Sequence, residues 1–283
     1  MAGFAAETLR HRELWLRTFA RWWFGVHADR CPSSATTAEL ASFLIAEDHR
    51  GVSAATRKAQ LATLRRFFAW LVLTGRNDDD PAGRLAAPKV STSEISVYRA
   101  DEVRDILGHT AALDDLRGRL RHVIVSTLRY TGMRSGELRS LRLDRLDLDA
   151  GRAGVIGKGS RPRVVVLPPP LQQLLRGYLG GLRPELPDSP LLFANPHPAV
   201  TTPQAGFSHE AVYREVVLAG EGAGVAGRHF PHRWRHTFAT ELVRDGVDIH
   251  VVQRLLGHRS IASTVGYTHL HLDDLRRVVA DRW

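Results

Sequence analysis

The chain has 283 residues, 43% of them hydrophobic, which is enough for two modest domains with cores of their own. No apolar run of about 18 residues occurs, so no membrane-spanning helix is expected. The single cysteine, Cys31, excludes an intrachain disulfide and a cysteine-based zinc site, and it fits a reducing, cytoplasmic setting. The net charge of +9 and a pI near 10.5 point to a polyanionic partner, most commonly nucleic acid. That excess is spread out: 13 basic against 9 acidic residues up to position 90, and 26 against 21 beyond it. Both halves can therefore meet phosphate, and neither is a basic tail.

Residues 5–74 read as helices only. The opening stretch is rich in Arg and aromatics and suits an amphipathic helix, while Glu7 and Glu13 argue against a transit peptide. A second helix begins at the capping box formed by Thr36 and Glu39, with Leu40, Phe43 and Leu44 as its apolar stripe. A third starts after Ser53 and stops at Gly75, with Leu61, Leu64, Phe68, Leu71 and Val72 as its core face. Its other face carries Arg57, Lys58, Arg65 and Arg66, which fits a solvated surface and a phosphate-facing surface equally well. Residues 76–95 form a polar connector with few apolar anchors, and a domain boundary falls near residue 90.

The second half is mixed. Helices are expected from near Ala100 and over roughly 115–130. Short apolar runs around Gly157, Lys158 and Gly159 read as a β-hairpin. Further helices fall near 170–180, 209–219, 232–245 and 248–256, with a last one after Asp273.

Five segments of this half carry polar residues at element ends. In TGMRSGEL, Arg134 opens a helix and Glu137 lies three residues on, placed to buttress it. An Arg at a helix start is poorly placed for the helix dipole, but well placed to join helix N–H groups on a bound phosphate. Lys158 sits at the tip of the Gly-rich hairpin, a position that an ordinary turn lysine would also fill. In PHRWRHTFAT, His232, Arg235 and His236 share a helix entered through Pro231. The i, i+4 histidine pair invites a metal reading. The acidic residue of a zincin motif is absent, however, and Arg233 and Arg235 would repel a cation. His236 reads as structural. His258 follows Gly257 at a helix end, and Tyr267 comes nine residues later. Together these supply cations and a hydroxyl suited to a phosphodiester, with no carboxylate pair to hold Mg²⁺. Such a set suits metal-free phosphoryl transfer: arginines clamp the non-bridging oxygens, a side chain attacks, and a proton donor assists the leaving oxygen.

The order Arg, Lys, His-x-x-Arg, His, Tyr, with TG.R..EL, GKG.R.R, H..RHTFAT, LLGH and YTH, resembles the tyrosine recombinase and phage integrase family, including its Xer-type members. The pattern at Pro81, Ala82, Leu85, Pro88 and Lys89 resembles the family's interdomain connector. The resemblance implies a mainly α fold with a small β-sheet. A helical, SAM-like core-binding domain would span residues 1–88 and an α+β catalytic domain 89–283, forming a C-shaped clamp on DNA. It implies Tyr267 as nucleophile, Arg134 and Arg235 as phosphate clamps and Lys158 as the acid for the 5′ oxygen. His232 would assist proton transfer, His258 would bind a non-bridging oxygen, and Glu137 would orient the site. Neither ATP nor a metal cofactor would be needed. Four protomers on two DNA sites would exchange strands, from monomers or dimers off DNA. Trp234 departs from the family's usual Leu. A tail helix through Leu275, Val278, Val279 and Trp283 could dock on a neighbouring subunit. Rival readings are a type IB-like relaxing enzyme or telomere resolvase, a non-catalytic DNA-binding protein, and, most distantly, a zinc hydrolase.

Overall fold

The structure, a computed structural model, describes residues 6–90, 96–157, 161–196 and 206–257. Within them the chain is mainly helical, with one small antiparallel sheet. It divides into two compact units, one from residues up to 93 and the other from 94 onward. No helix among the described residues is long and apolar enough to cross a membrane.

The first unit is built from α1 (Ala6–Val26), α2 (Thr37–His49) and α3 (Ala54–Leu73). The α2 start forms as its residues dictate: Glu39 N donates to Thr36 Oγ1, and Thr36 N donates to Glu39 Oε2 at 2.8 Å. Phe19, Trp23, Leu40, Phe43, Leu61, Leu64 and Phe68 make the core and are almost fully buried. Each such side chain contributes about 1.5–3 kcal/mol relative to exposure. Val72 does not join them and stays 37% exposed. It is adjacent to the buried Leu71, and one residue along a helix turns the side chain by about 100°, off the core stripe.

The connector is better anchored than its polarity suggests. Ala82 is buried and Leu85 packs on the helical core. Thr37 Oγ1 donates to Pro81 O at 3.0 Å, and Asn77 Nδ2 donates to Ser33 O at 2.8 Å. Short polar residues bonding to backbone hold this segment where apolar side chains are few.

The second unit contains α4 (Ala100–Ala111), α5 (Leu116–Thr131), α6 (Ser135–Arg139), α7 (Pro169–Gly180), α8 (His209–Gly222), α9 (Pro231–Arg244) and α10 (Ile249–Leu256). Its sheet has β1 (Leu146–Asp147), β2 (Arg152–Gly157) and β3 (Arg161–Val166) in that order. The hairpin register runs from Arg152 opposite Val166 to Gly157 opposite Arg161. Ala153, Val155 and Val165 face the core with Ile124, Leu128, Leu138 and Leu171. Alternation leaves Ile156, Val164 and Val166 on the open face.

A buried polar network sets the rotation of α9. Tyr98 N donates to Thr237 Oγ1 at 2.8 Å, and the Tyr98 hydroxyl lies 3.0 Å from His229 Nδ1. The Arg233 guanidinium stacks 3.9 Å from the Tyr98 ring centroid and pairs with Glu102 at 3.3 Å. Trp234, the departure from the usual Leu, is fully buried against Tyr98, with ring centroids 4.5 Å apart. The indole acts there as core packing. With Arg233, Trp234 and Thr237 turned inward, His232 is left at the surface.

Candidate active site

Two glycine turns frame the site. α5 ends at Gly132 with φ +57°, and α10 ends at Gly257 with φ +64°. In this left-handed conformation a side chain is strained, and a Cβ on Gly132 would lie 2.5 Å from Phe238 Cδ1. The Gly132 turn releases the chain into Met133 and Arg134, so that Arg134 stands at the N-cap of α6.

Glu137, only 2% exposed, is the anchor of this corner. Its Oε2 accepts from Arg134 N at 2.8 Å and from Arg163 Nη2 at 2.8 Å. Its Oε1 accepts from Arg134 Nη1 at 3.1 Å and from Arg163 Nε at 3.0 Å. Burial alone raises the carboxyl pKa, but the hydrogen bonds and charges of Arg163 and Arg134 outweigh it and hold the group below its ordinary value. Glu137 is therefore an ionised carboxylate, as a buttress for arginines must be.

Three arginines converge on the end of α10. Arg163 Nη1 donates to Leu255 O at 2.7 Å, Arg235 Nη2 to Leu256 O at 2.7 Å, and Arg134 Nη2 to Gly257 O at 3.3 Å. The last carbonyls of a helix lack intrahelical partners and carry its partial negative charge, so cations are stabilised there. Arg235 Nη1 also donates to Gly132 O at 2.8 Å, joining the two glycine turns. Although only 3% exposed, this guanidinium is well bonded.

His232 and His236 lie one turn apart on α9, their rings perpendicular with centroids 6.2 Å apart. His232 is exposed, yet the protein packed around it removes part of its hydration. Desolvation, then the charges of Arg235 and Arg134, lower its pKa. Desolvation and His232 push His236 further, to about 4. Both imidazoles are thus favoured as neutral bases near neutral pH.

Of the residues expected to carry chemistry, the structure brings Arg134, Glu137, His232 and Arg235 to one corner. Lys158, His258 and Tyr267 lie outside the described residues, as does the tail with Leu275, Val278, Val279 and Trp283. Lys158 directly follows β2, and His258 directly follows Gly257. Arg57, Lys58, Arg65 and Arg66 stand on α3 of the other unit. Arg57 pairs with Asp48 at 2.7 Å, and Arg65 donates to Ala82 O and Leu85 O at 3.3 and 2.5 Å. Lys58 and Arg66 are exposed.

Arg163 is a site residue that motif reading leaves without a role. The signal lies in the alternation of β3: Arg163 pairs with the buried Val155 and shares the inward face with Val165. A charge on an inward strand position requires a partner, and here that partner is Glu137.

A sequence model of the phage integrase family matches residues 96–273, more than half of the chain. The chain is 34% identical over 243 residues to the tyrosine recombinase XerC of Xylella fastidiosa (strain M23), covering 85% of this chain and 79% of that protein. It is 29% identical over 272 residues to the tyrosine recombinase XerD of Listeria monocytogenes serotype 4b (strain F2365), covering 95% and 89%. Among solved structures, the XerH site-specific recombinase bound to palindromic difH substrate in a post-cleavage complex matches with a TM-score of 0.76 at 22% identity, over 96% of this chain and 78% of that one. The likeness in fold and the matches in sequence cover both compact units, and the chain belongs to the phage integrase family of tyrosine-type site-specific recombinases.

Proposed function

We propose that the chain cleaves and rejoins double-stranded DNA through Tyr267, with Arg134 and Arg235 clamping the scissile phosphate. The Tyr267 Oη–phosphorus bond forms as the bond from phosphorus to the 5′ oxygen breaks. The tyrosine proton passes toward His232, and the leaving oxygen takes a proton from Lys158. A 3′-phosphotyrosyl link and a free 5′-hydroxyl result, and attack by a second 5′-hydroxyl reverses the step with a new partner strand. The bond energy stays in the phosphotyrosine, so no nucleotide cofactor enters. His258 donates to a non-bridging oxygen, and Glu137 orients Arg134.

The observation that carries this reading is the convergence of Arg134 and Arg235 on the carbonyls of Leu256 and Gly257, immediately before His258. Two fixed guanidiniums at one helix end form a pre-organised anion site, which stabilises charge as it develops on phosphorus oxygens. The neutral His232 beside them is a competent base.

The helical first unit is read as the core-binding domain and the second as the catalytic domain. The exposed Lys58 and Arg66, with Arg57 and Arg65 beside them, are candidate phosphate contacts. Four protomers on two sites, working in the cytoplasm, are the assembly that pairwise strand exchange requires. The lambda integrase tetramer bound to a Holliday junction, of like fold at a TM-score of 0.72, has that number of protomers.

The test is trapping on a nicked suicide substrate. Tyr267→Phe should lose the covalent protein–DNA complex while retaining DNA binding in a mobility-shift assay. A covalent complex that persists in this variant would remove Tyr267 as nucleophile.

A further inference from the structure

We infer that Arg163 is a positioning residue for strand cleavage: through Glu137 it holds Arg134 in its phosphate-clamping orientation. The inference rests on the reading of Arg134 as a clamp.

The reason lies in how Glu137 is shared. Arg163 gives the carboxylate two charge-assisted bonds of 3.0 and 2.8 Å, whereas the Arg134 guanidinium gives it one of 3.1 Å. Arg163 thus takes up most of the buried negative charge. Arg134 keeps a single tether to Glu137 and directs its other terminal nitrogen to Gly257 O. Without Arg163, a nearly fully buried carboxylate would face Arg134 alone. Arg134 would then close onto it as a bidentate pair, the strongest geometry open to both. That movement would turn the guanidinium from the phosphate and neutralise its charge.

Packing gives Arg163 a second hold on the same corner. Its Nη1 is bonded to Leu255 O at 2.7 Å, and a Cβ on Gly257 would lie 2.8 Å from its Cδ and 3.1 Å from its Nε. The side chain lies so close over the α10 turn that only glycine fits beneath it. Three bonds to two elements use the planar fork of a guanidinium, and a lysine ammonium cannot reproduce them.

The experiment compares single-turnover covalent complex formation on two nicked suicide substrates at saturating DNA. One carries an ordinary scissile phosphate. The other carries a scissile methylphosphonate, uncharged because a methyl replaces one non-bridging oxygen, and so independent of a cationic clamp. Arg163→Met should slow cleavage of the phosphate by roughly 10- to 100-fold, the scale of loss when the hydrogen-bonding support behind a metal ligand is removed. The methylphosphonate should lose less than about 3-fold, since only transition-state charge stabilisation has been taken away. Arg163→Lys should behave like Arg163→Met.

Because Arg163→Met leaves Glu137 buried and ionised, that variant is exposed to misfolding. The double variant Arg163→Met/Glu137→Gln removes both charges and should fold, as judged by its melting transition. It should show the same phosphate-selective loss, because Arg134 has then lost its charged tether at residue 137. Equal losses on both substrates, or wild-type phosphate cleavage in any folded variant, would overturn the inference. Absence of a covalent complex with the wild-type chain would instead remove the clamp reading beneath it.

Discussion

Arg235 survives at 3% exposure because each terminal nitrogen donates one bond to a backbone carbonyl, those of Gly132 and Leu256. Arg235→Lys keeps the charge but can serve only one of them. It should reduce suicide-substrate cleavage by roughly 10²–10³, as loss of a transition-state donor does. It should also lower stability by about 1–3 kcal/mol through the orphaned carbonyl, measured by urea denaturation. His236 makes a prediction in pH. Its folded pKa of about 4 lies below the ordinary 6.5, so the unfolded chain takes up the proton first. Its contribution to stability is whole above pH 6.5 and falls away as pH drops toward 4. His236→Gln should flatten the decline of melting temperature over that window, and an unchanged pH profile would remove the burial argument. At this scale the motif residues were legible because their types are rare in combination. Their bonding was not legible: nothing in the sequence of α3 says that Arg57 pairs with Asp48 or that Arg65 bonds two connector carbonyls.

Helices and the hairpin were legible as elements, because capping residues and apolar period act locally. Thr36 with Glu39, Ser53, Asp115 and Ser208 each stand at a helix start and each accept a backbone N–H there. The turns that end α5 and α10 carry more than punctuation. The αL conformation at Gly132 puts its carbonyl within reach of Arg235 and leaves no room for a methyl group against Phe238. Gly132→Ala should therefore destabilise the chain by about 1–3 kcal/mol, the cost of a strained backbone site. It should also slow cleavage, while mobility-shift affinity for duplex DNA is retained. A midpoint of urea unfolding equal to that of the wild type would show that neither strain nor contact matters there. Val72 marks the limit of element-level reading: it is apolar and next to the stripe, but the packed face of α3 is narrower than its run of apolar residues. The connector marks the same limit in reverse, since side-chain bonds to distant backbone cannot be read from local composition.

For the whole molecule, charge is the quantity that matters most. A net +9 spread over both units predicts affinity for duplex DNA that falls linearly on a log–log plot against salt, by several decades for a protein making many phosphate contacts. A titration by fluorescence anisotropy between low and physiological salt would measure it, and a flat response would refute a phosphate-facing basic surface. The residue order by itself determined the family and the element types, and it singled out the side chains proposed to react. These follow from local propensity, from charge, and from rare residue types in fixed order. Only the tertiary structure decided that Gly132, Glu137, Arg163, Arg235 and the end of α10 form one bonded corner. Two of its bonded members, Arg134 and Gly257, are 123 residues apart, and a carbonyl at a helix end has no sequence signature of its own. Which arginine meets it depends on how β3, α6 and α9 pack around the shared core.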